Sequence, residues 1–108
     1  MVQKLVSYKV DEDAIEAAKL AIKEFIEGIR KHESQTNYHA YQISEDKSQF
    51  IHLMVFPDNA AEEKHRNAEY TKKFVHDLLP LCEQEPKFSD IEIVADTLGD
   101  GVVDWAND

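Results

Sequence analysis

Residues 5–10 read as a strand that stops at the acidic cluster Asp11, Glu12, Asp13. The cluster opens a helix: Asp13 followed by Glu16 has capping-box spacing, and acids in a first turn suit the helix dipole. Ile15, Ala18, Ile22, Phe25 and Ile29 then recur at three- and four-residue steps, one face of a helix. Arg30, Lys31 and His32 close it with positive charge. Gly28 is a soft spot near that end, costing roughly 1 kcal/mol against alanine.

The aromatic-rich segment 37–44 predicts a second strand, 45–48 a polar turn and 50–56 a third strand. This third strand is apolar on both parities, with Ile51, Leu53 and Val55 on one and Phe50, His52, Met54 and Phe56 on the other. A strand apolar on both faces is covered on both. Two helices cover one face of a four-stranded sheet, so a second copy packing sheet against sheet is the expected cover of the other. Asn59 followed by Glu62 again has box spacing and opens a helix to about Leu79, with Ala61, His65, Ala68, Val75 and Leu79 on its apolar face and Thr71 or Lys72 at the middle step. Pro80 and Pro86 bracket an irregular stretch, and residues 91–95 read as the fourth strand. The order β-α-β-β-α-β predicts an α+β, ferredoxin-like domain with an antiparallel four-stranded sheet.

A chain of 108 residues fits one domain. It divides into a folded unit over 1–96 and an acidic tail, 97–108, carrying Gly99, Gly101 and the only tryptophan, Trp105. The tail is expected to reach a partner subunit through Trp105. A net charge of −10 repels phosphate backbones and argues against nucleic-acid binding. No apolar run approaches the ~20 residues that span a bilayer, so no membrane role is expected. The segment 1–10 is too short and polar for a signal peptide. The single cysteine, Cys82, forms no internal disulfide and suits a reducing cytoplasm.

Among candidates for chemistry, His65 stands out because it falls on an apolar helix stripe facing the sheet. It is either a cavity-lining group able to move a proton or a core histidine bonded to a backbone carbonyl. His39 and His52 lie on adjacent strands, where one residue of register decides whether they share a face. Tyr38, Tyr41 and Tyr70 are hydrogen-bond donors for an aromatic ligand or interface filler. Cys82 reads as packing. The five histidines have no short ligand spacing, and His65 and His76 stand about three turns apart on a helix, so no metal is expected. The run 96–101 fails as a calcium loop because Leu98 stands where an oxygen ligand belongs. With three glycines there is no phosphate-binding loop.

The stretch from Phe50 to His65 resembles the antibiotic biosynthesis monooxygenase (ABM) family of the dimeric α/β barrel superfamily. Phe56, Asp58, Ala61 and His65 match its aromatic-x-acid ending of the third strand and the alanine and histidine that follow on the helix. Tyr70 and Phe74 fall where the family carries aromatic or histidine residues, and Tyr38 to Gln42 resembles its second strand. The departures are Met54, where the family usually has a glutamate, and residues 34–36, where it has a glycine. The resemblance implies a homodimer with a small-ligand cavity between sheet and helices in each subunit. It also implies a cofactor-independent monooxygenase that oxidises a small aromatic, phenolic or quinol-type substrate with molecular oxygen. His65 would be the acid/base group. Tyr38, His52 and Tyr70 would orient the substrate, and Met54, Phe56 and Phe74 would form the apolar wall. Two other readings follow from the same likeness. One is a non-catalytic dimeric ligand-binding or stress-associated module, expected if Phe50, Met54, Phe56 and Phe74 fill the space between helices and sheet. The other is a haem-binding or haem-degrading protein, which is disfavoured: Ser7 stands near the position of that branch's first-strand asparagine, and Trp105 lies in the tail.

Overall fold

The computed structural model describes residues 1–97. Four strands, β1 (Val2–Lys9), β2 (Asn37–Ile43), β3 (Asp46–Phe56) and β4 (Lys87–Asp90), form one antiparallel sheet in the order β2-β3-β1-β4. Helices α1 (Ile15–His32), α2 (Asn59–Asn67) and α3 (Glu69–Leu78) fill the connections. This is the expected α+β, ferredoxin-like arrangement. Trp105 and the rest of the tail beyond Thr97 lie outside the described residues.

The pleat sorts the sheet into two faces. Val6, Tyr8, Phe50, His52, Met54 and Phe56 are buried under the helices. Leu5, Ser7, Ile51, Leu53 and Val55, all half-buried, line the opposite face. Tyr38 pairs with Met54 and Ala40 with His52, so Tyr38 shares the helix side, whereas His39 and Tyr41 pair with Leu53 and Ile51 on the other. His39 and His52 therefore point oppositely. Ser7, opposite Ile51, also faces away from the helices. On α1, Ala18, Ile22, Phe25 and Ile29 are buried as the periodicity predicts.

Several local expectations are corrected. The Asp13–Glu16 box does not form: Glu12–Ala14 is a 3₁₀ turn, closed by the Ala14 N–H donating to the Asp11 carbonyl (2.9 Å), and α1 has no side-chain cap. The predicted turn at 45–48 shrinks to Ser44 and Glu45, because Asp46 is drawn into β3, where its carboxylate accepts from Ser48 N–H (3.1 Å), Ser48 Oγ (2.6 Å) and Gln49 Nε2 (2.8 Å). The cap of α2 is Asp58, one residue before Asn59: its Oδ1 accepts the Ala61 N–H at 2.8 Å.

The helix predicted to run unbroken to Leu79 is broken at Ala68, which is extended (φ −68°, ψ 146°). The break resets the helical phase. Thr71, Phe74 and Leu78 are buried beyond it, while Val75 and Leu79 are 42% and 48% exposed. The fourth strand lies four residues earlier than expected. Cys82 bridges Val10, Glu83 N–H donates to the Lys9 carbonyl (2.9 Å), and Lys87 then pairs with Ser7. Running antiparallel from there, the chain reaches Lys4 at Asp90, and the Ile91 N–H bonds the Gln3 carbonyl (3.1 Å). The segment 91–95, apolar except for Glu92, thus arrives where β1 has almost no backbone left to pair with.

Gly28 is a contact point rather than a soft spot. A Cβ placed on it would stand 2.6 Å from Cγ of Tyr70. Only glycine lets the Tyr70 ring lie against the α1 backbone.

Candidate functional site

Between the sheet and the helices lies a cavity of about 520 Å³. Its wall is mainly apolar, with Val6, Phe25, Met54, Phe56, Phe74 and Leu78 among the lining residues; Tyr8, Tyr38 and His65 add buried polar atoms, and Lys4, Glu62, Arg66 and Glu85 add charged groups to the lining. The aromatic and methionine side chains of the sheet line this space without filling it. A groove of similar volume (about 560 Å³) runs outside, between α1 and β2 past Lys19, Lys23 and Arg30, and meets neither His65 nor Glu33.

His65 reaches the cavity from the second turn of α2, the helix that Asp58 fixes in place. Its ring packs 5.0 Å from that of Phe56 and 5.5 Å from that of Phe25, centroid to centroid. Nδ1 lies 2.9 Å from Oε2 of Glu33. A carboxylate only accepts, so Nδ1 carries a proton and donates it there. Among the described residues no hydrogen bond reaches Nε2, which is left for the cavity.

Glu33, the residue that ends α1, is almost completely buried yet fully partnered. The Tyr70 hydroxyl also donates to Oε2, and the Thr36 hydroxyl donates to Oε1 at 2.7 Å. Burial alone would push this carboxyl up, but the bonds from Tyr70, Thr36 and His65 together outweigh it and hold it below the ordinary carboxylate range. Burial, and then the bond to Glu33, pushes the Tyr70 phenol up, so Tyr70 stays a donor.

A second polar group lies on the sheet side. The imidazole of His52 is wholly buried, with Nε2 2.7 Å from the Tyr8 hydroxyl and Nδ1 2.7 Å from the Tyr38 hydroxyl. Burial lowers its pKa to about 4, which keeps the ring neutral at physiological pH. Burial also pushes both phenols well above the usual tyrosine range.

Of the residues singled out from sequence, His65, Tyr38, Met54, Phe56 and Phe74 line the one cavity. His52 and Tyr70 stand behind it, His52 bridging Tyr8 and Tyr38, and Tyr70 bonded to Glu33 and stacked on His32 (5.6 Å). Sequence reasoning missed Glu33 and Tyr8. For Tyr8 a signal existed, since it stands two residues from Val6 and Val10 and shares their parity. Glu33 sits in a polar stretch after a basic helix end, and nothing local marks it. Among the described residues no group of three His, Cys, Asp or Glu side chains is placed to hold a metal ion, and no helix is long and apolar enough to cross a membrane. Cys82 is a half-buried free thiol whose Sγ lies 3.5 Å from the Leu78 carbonyl, away from the cavity lining.

Comparison with known proteins adds to this geometry. A family model described as antibiotic biosynthesis monooxygenase matches residues 1–77. No curated protein matches the chain. Among solved structures, one described as an antibiotic biosynthesis monooxygenase superposes with a TM-score of 0.80 at 20% identity, covering 87% of this chain and 99% of its own. The protein Rv0793 from Mycobacterium tuberculosis gives 0.79 at 13% identity, covering 90% and 98%. A conserved protein from Methanosarcina mazei gives 0.77 at 18%, covering 83% and 89%. At these identities the structures share the fold; the family match covers His65, Glu33 and most of the cavity lining, while Leu78, Leu79, Glu85, Pro86 and Phe88 lie beyond it.

Proposed function

Because the chain belongs to the antibiotic biosynthesis monooxygenase family, we propose that it oxidises a small phenolic or quinol-type aromatic with molecular oxygen, with His65 as the group that takes the substrate's proton. One observation carries this reading: a histidine held by a buried carboxylate at Nδ1 presents a partner-free Nε2 to an apolar cavity large enough for a bicyclic ring.

The chemistry follows from that arrangement. A hydroxylated ring lies against Phe25, Met54, Phe56 and Phe74 and donates its O–H to Nε2 of His65. As the proton moves, Glu33 stabilises the imidazolium through Nδ1–H, and the ring becomes an electron-rich anion against a mainly apolar wall. A quinol carries enough reducing equivalents for the whole reaction. Oxidation of its two C–OH groups to carbonyls gives up two electrons, and replacement of one ring C–H by C–OH gives two more. Dioxygen takes all four; one oxygen atom enters the ring and the other leaves as water. Met54 supplies no proton acceptor where the family usually has a glutamate, and in this chain the buried, hydrogen-bonded His65–Glu33 pair takes that part.

The protein works, in this reading, as a homodimer. The open sheet face with Leu5, Ile51, Leu53 and Val55 is the surface a second copy would cover, and Ile93 and Val94, 45% and 78% exposed just past β4, extend the apolar area available to it. The lone free thiol fits a cytoplasmic location.

The test is oxygen uptake by pure, metal-stripped protein with a panel of hydroquinones and polycyclic phenols, corrected for autoxidation and run beside His65→Ala. Uptake above the control that falls by about 100-fold or more in the variant is expected for loss of an acid/base group. No uptake with any member of the panel would move the assignment to a ligand-binding module.

A further inference from the structure

The Tyr8–His52–Tyr38 group has a proton count that the function above does not use. The neutral imidazole has one N–H, and each phenol has one O–H, three protons in all. Two of them are taken up by the two 2.7 Å bonds. If Nδ1 carries the ring proton, it donates to Tyr38, Tyr8 donates to Nε2, and the Tyr38 O–H is left over. If Nε2 carries it, the roles reverse and the Tyr8 O–H is left over. In either tautomer one phenolic O–H remains. Neither hydroxyl has another hydrogen bond among the described residues, and both tyrosines line the cavity that holds His65.

The Tyr38 ring lies 5.8 Å from that of His65, so this donor and the His65 acceptor serve one ligand. The two groups differ in what they recognise. Nε2 of His65 accepts from a ring hydroxyl. The tyrosine group offers a hydrogen bond to an oxygen that accepts, and the second ring oxygen of a quinol accepts through its lone pairs and becomes a carbonyl when the ring is oxidised.

We propose that Tyr8 and Tyr38, bridged by His52, form a specificity-determining donor site for a second oxygen on the ligand, so that the cavity prefers an aromatic carrying two oxygens to one carrying a single hydroxyl. His52 is a positioning residue: it orders the two phenols and sets which of them donates. The proposal deepens the functional reading given above and rests on it.

The test uses two probes under anaerobic conditions, 1-naphthol and 1,4-dihydroxynaphthalene, titrated by fluorescence into the full-length chain. The wild type is expected to bind the diol about tenfold more tightly, the worth of one added hydrogen bond. In Tyr8→Phe/Tyr38→Phe the preference falls to about one, because the diol loses about tenfold more affinity than 1-naphthol does. A wild-type preference near one, or a preference kept in the double variant, overturns the proposal. If 1-naphthol still binds and does so through His65, the functional reading survives that result. If neither probe binds the wild type at millimolar concentration, both fall. A second readout stands apart from any change in stability, the ¹⁵N spectrum of the His52 imidazole in wild-type protein. The diol, by engaging one phenol, is expected to shift the balance of the two tautomers, and 1-naphthol to leave it in place. An identical spectrum with both probes overturns the positioning role.

Discussion

His52 and His65 are both buried near the Tyr38 ring, at 0% and 6% exposure, and their surroundings give them opposite roles. His52 is bonded at both nitrogens to phenols, which hold a neutral ring in place and offer no charge to stabilise a proton on it. His65 is bonded at one nitrogen to an ionised carboxylate, and its other nitrogen is free toward the cavity. Burial alone therefore says little about a histidine. The partner at each nitrogen decides whether the ring is a spacer or a base.

Three outcomes would break or sharpen this contrast. The largest concerns the carboxylate. Glu33→Ala leaves Tyr70, Thr36 and His65 without their shared acceptor in a buried place, and the loss of stability in denaturant unfolding should be about 3 kcal/mol. A loss below about 1 kcal/mol would mean that the carboxylate does not organise this network.

The second concerns His52 and acid. Its folded pKa, about 4, lies below the unfolded value of 6.5, so between those values the unfolded chain binds the proton and the folded chain does not. The stability it contributes is complete above pH 6.5 and is lost as pH falls toward 4, by up to about 3 kcal/mol. Glu33 adds a loss of the same sign at lower pH, as its depressed carboxyl is protonated. Denaturant unfolding at a series of pH values should therefore show a slope between 6.5 and 4 that His52→Phe flattens. An unchanged slope in the variant would assign the acid sensitivity elsewhere.

The third concerns the support of the His65 network. By helix propensity Gly28→Ala should stabilise α1 by about 1 kcal/mol. The Tyr70 ring in the way reverses the sign, and a net loss of about 1–2 kcal/mol is expected, with Tyr70 displaced from Glu33. A stabilised variant would show that Tyr70 shifts at no cost and that its bond to Glu33 is dispensable.

The contrast also marks how far the sequence could be read. The strand parity of β3 and the stripe on α1 depend on local periodicity, and both place their residues correctly. His65 was visible for the same reason. The break at Ala68 had no glycine or proline to announce it, so Val75 and Leu79 were assigned to the wrong face. The fourth strand was misplaced because residues 91–95 look more like a strand than Lys87–Asp90 do; the choice is made by where Cys82 meets Val10, a long-range contact. Glu33 was invisible for a related cause. Only Thr36 among its partners is local; His65 and Tyr70 come from positions 32 and 37 residues away, and no local pattern joins them.

The most direct measurement is the ¹⁵N spectrum of the histidine imidazoles at pH 8, recorded without and with 1-naphthol. His65 should carry its proton on Nδ1, with a bare Nε2 whose resonance moves when the naphthol binds, while His52 keeps its spectrum. A proton on Nε2 of His65, or an Nε2 signal that ignores the bound naphthol, would contradict the claim that this nitrogen receives the substrate's proton.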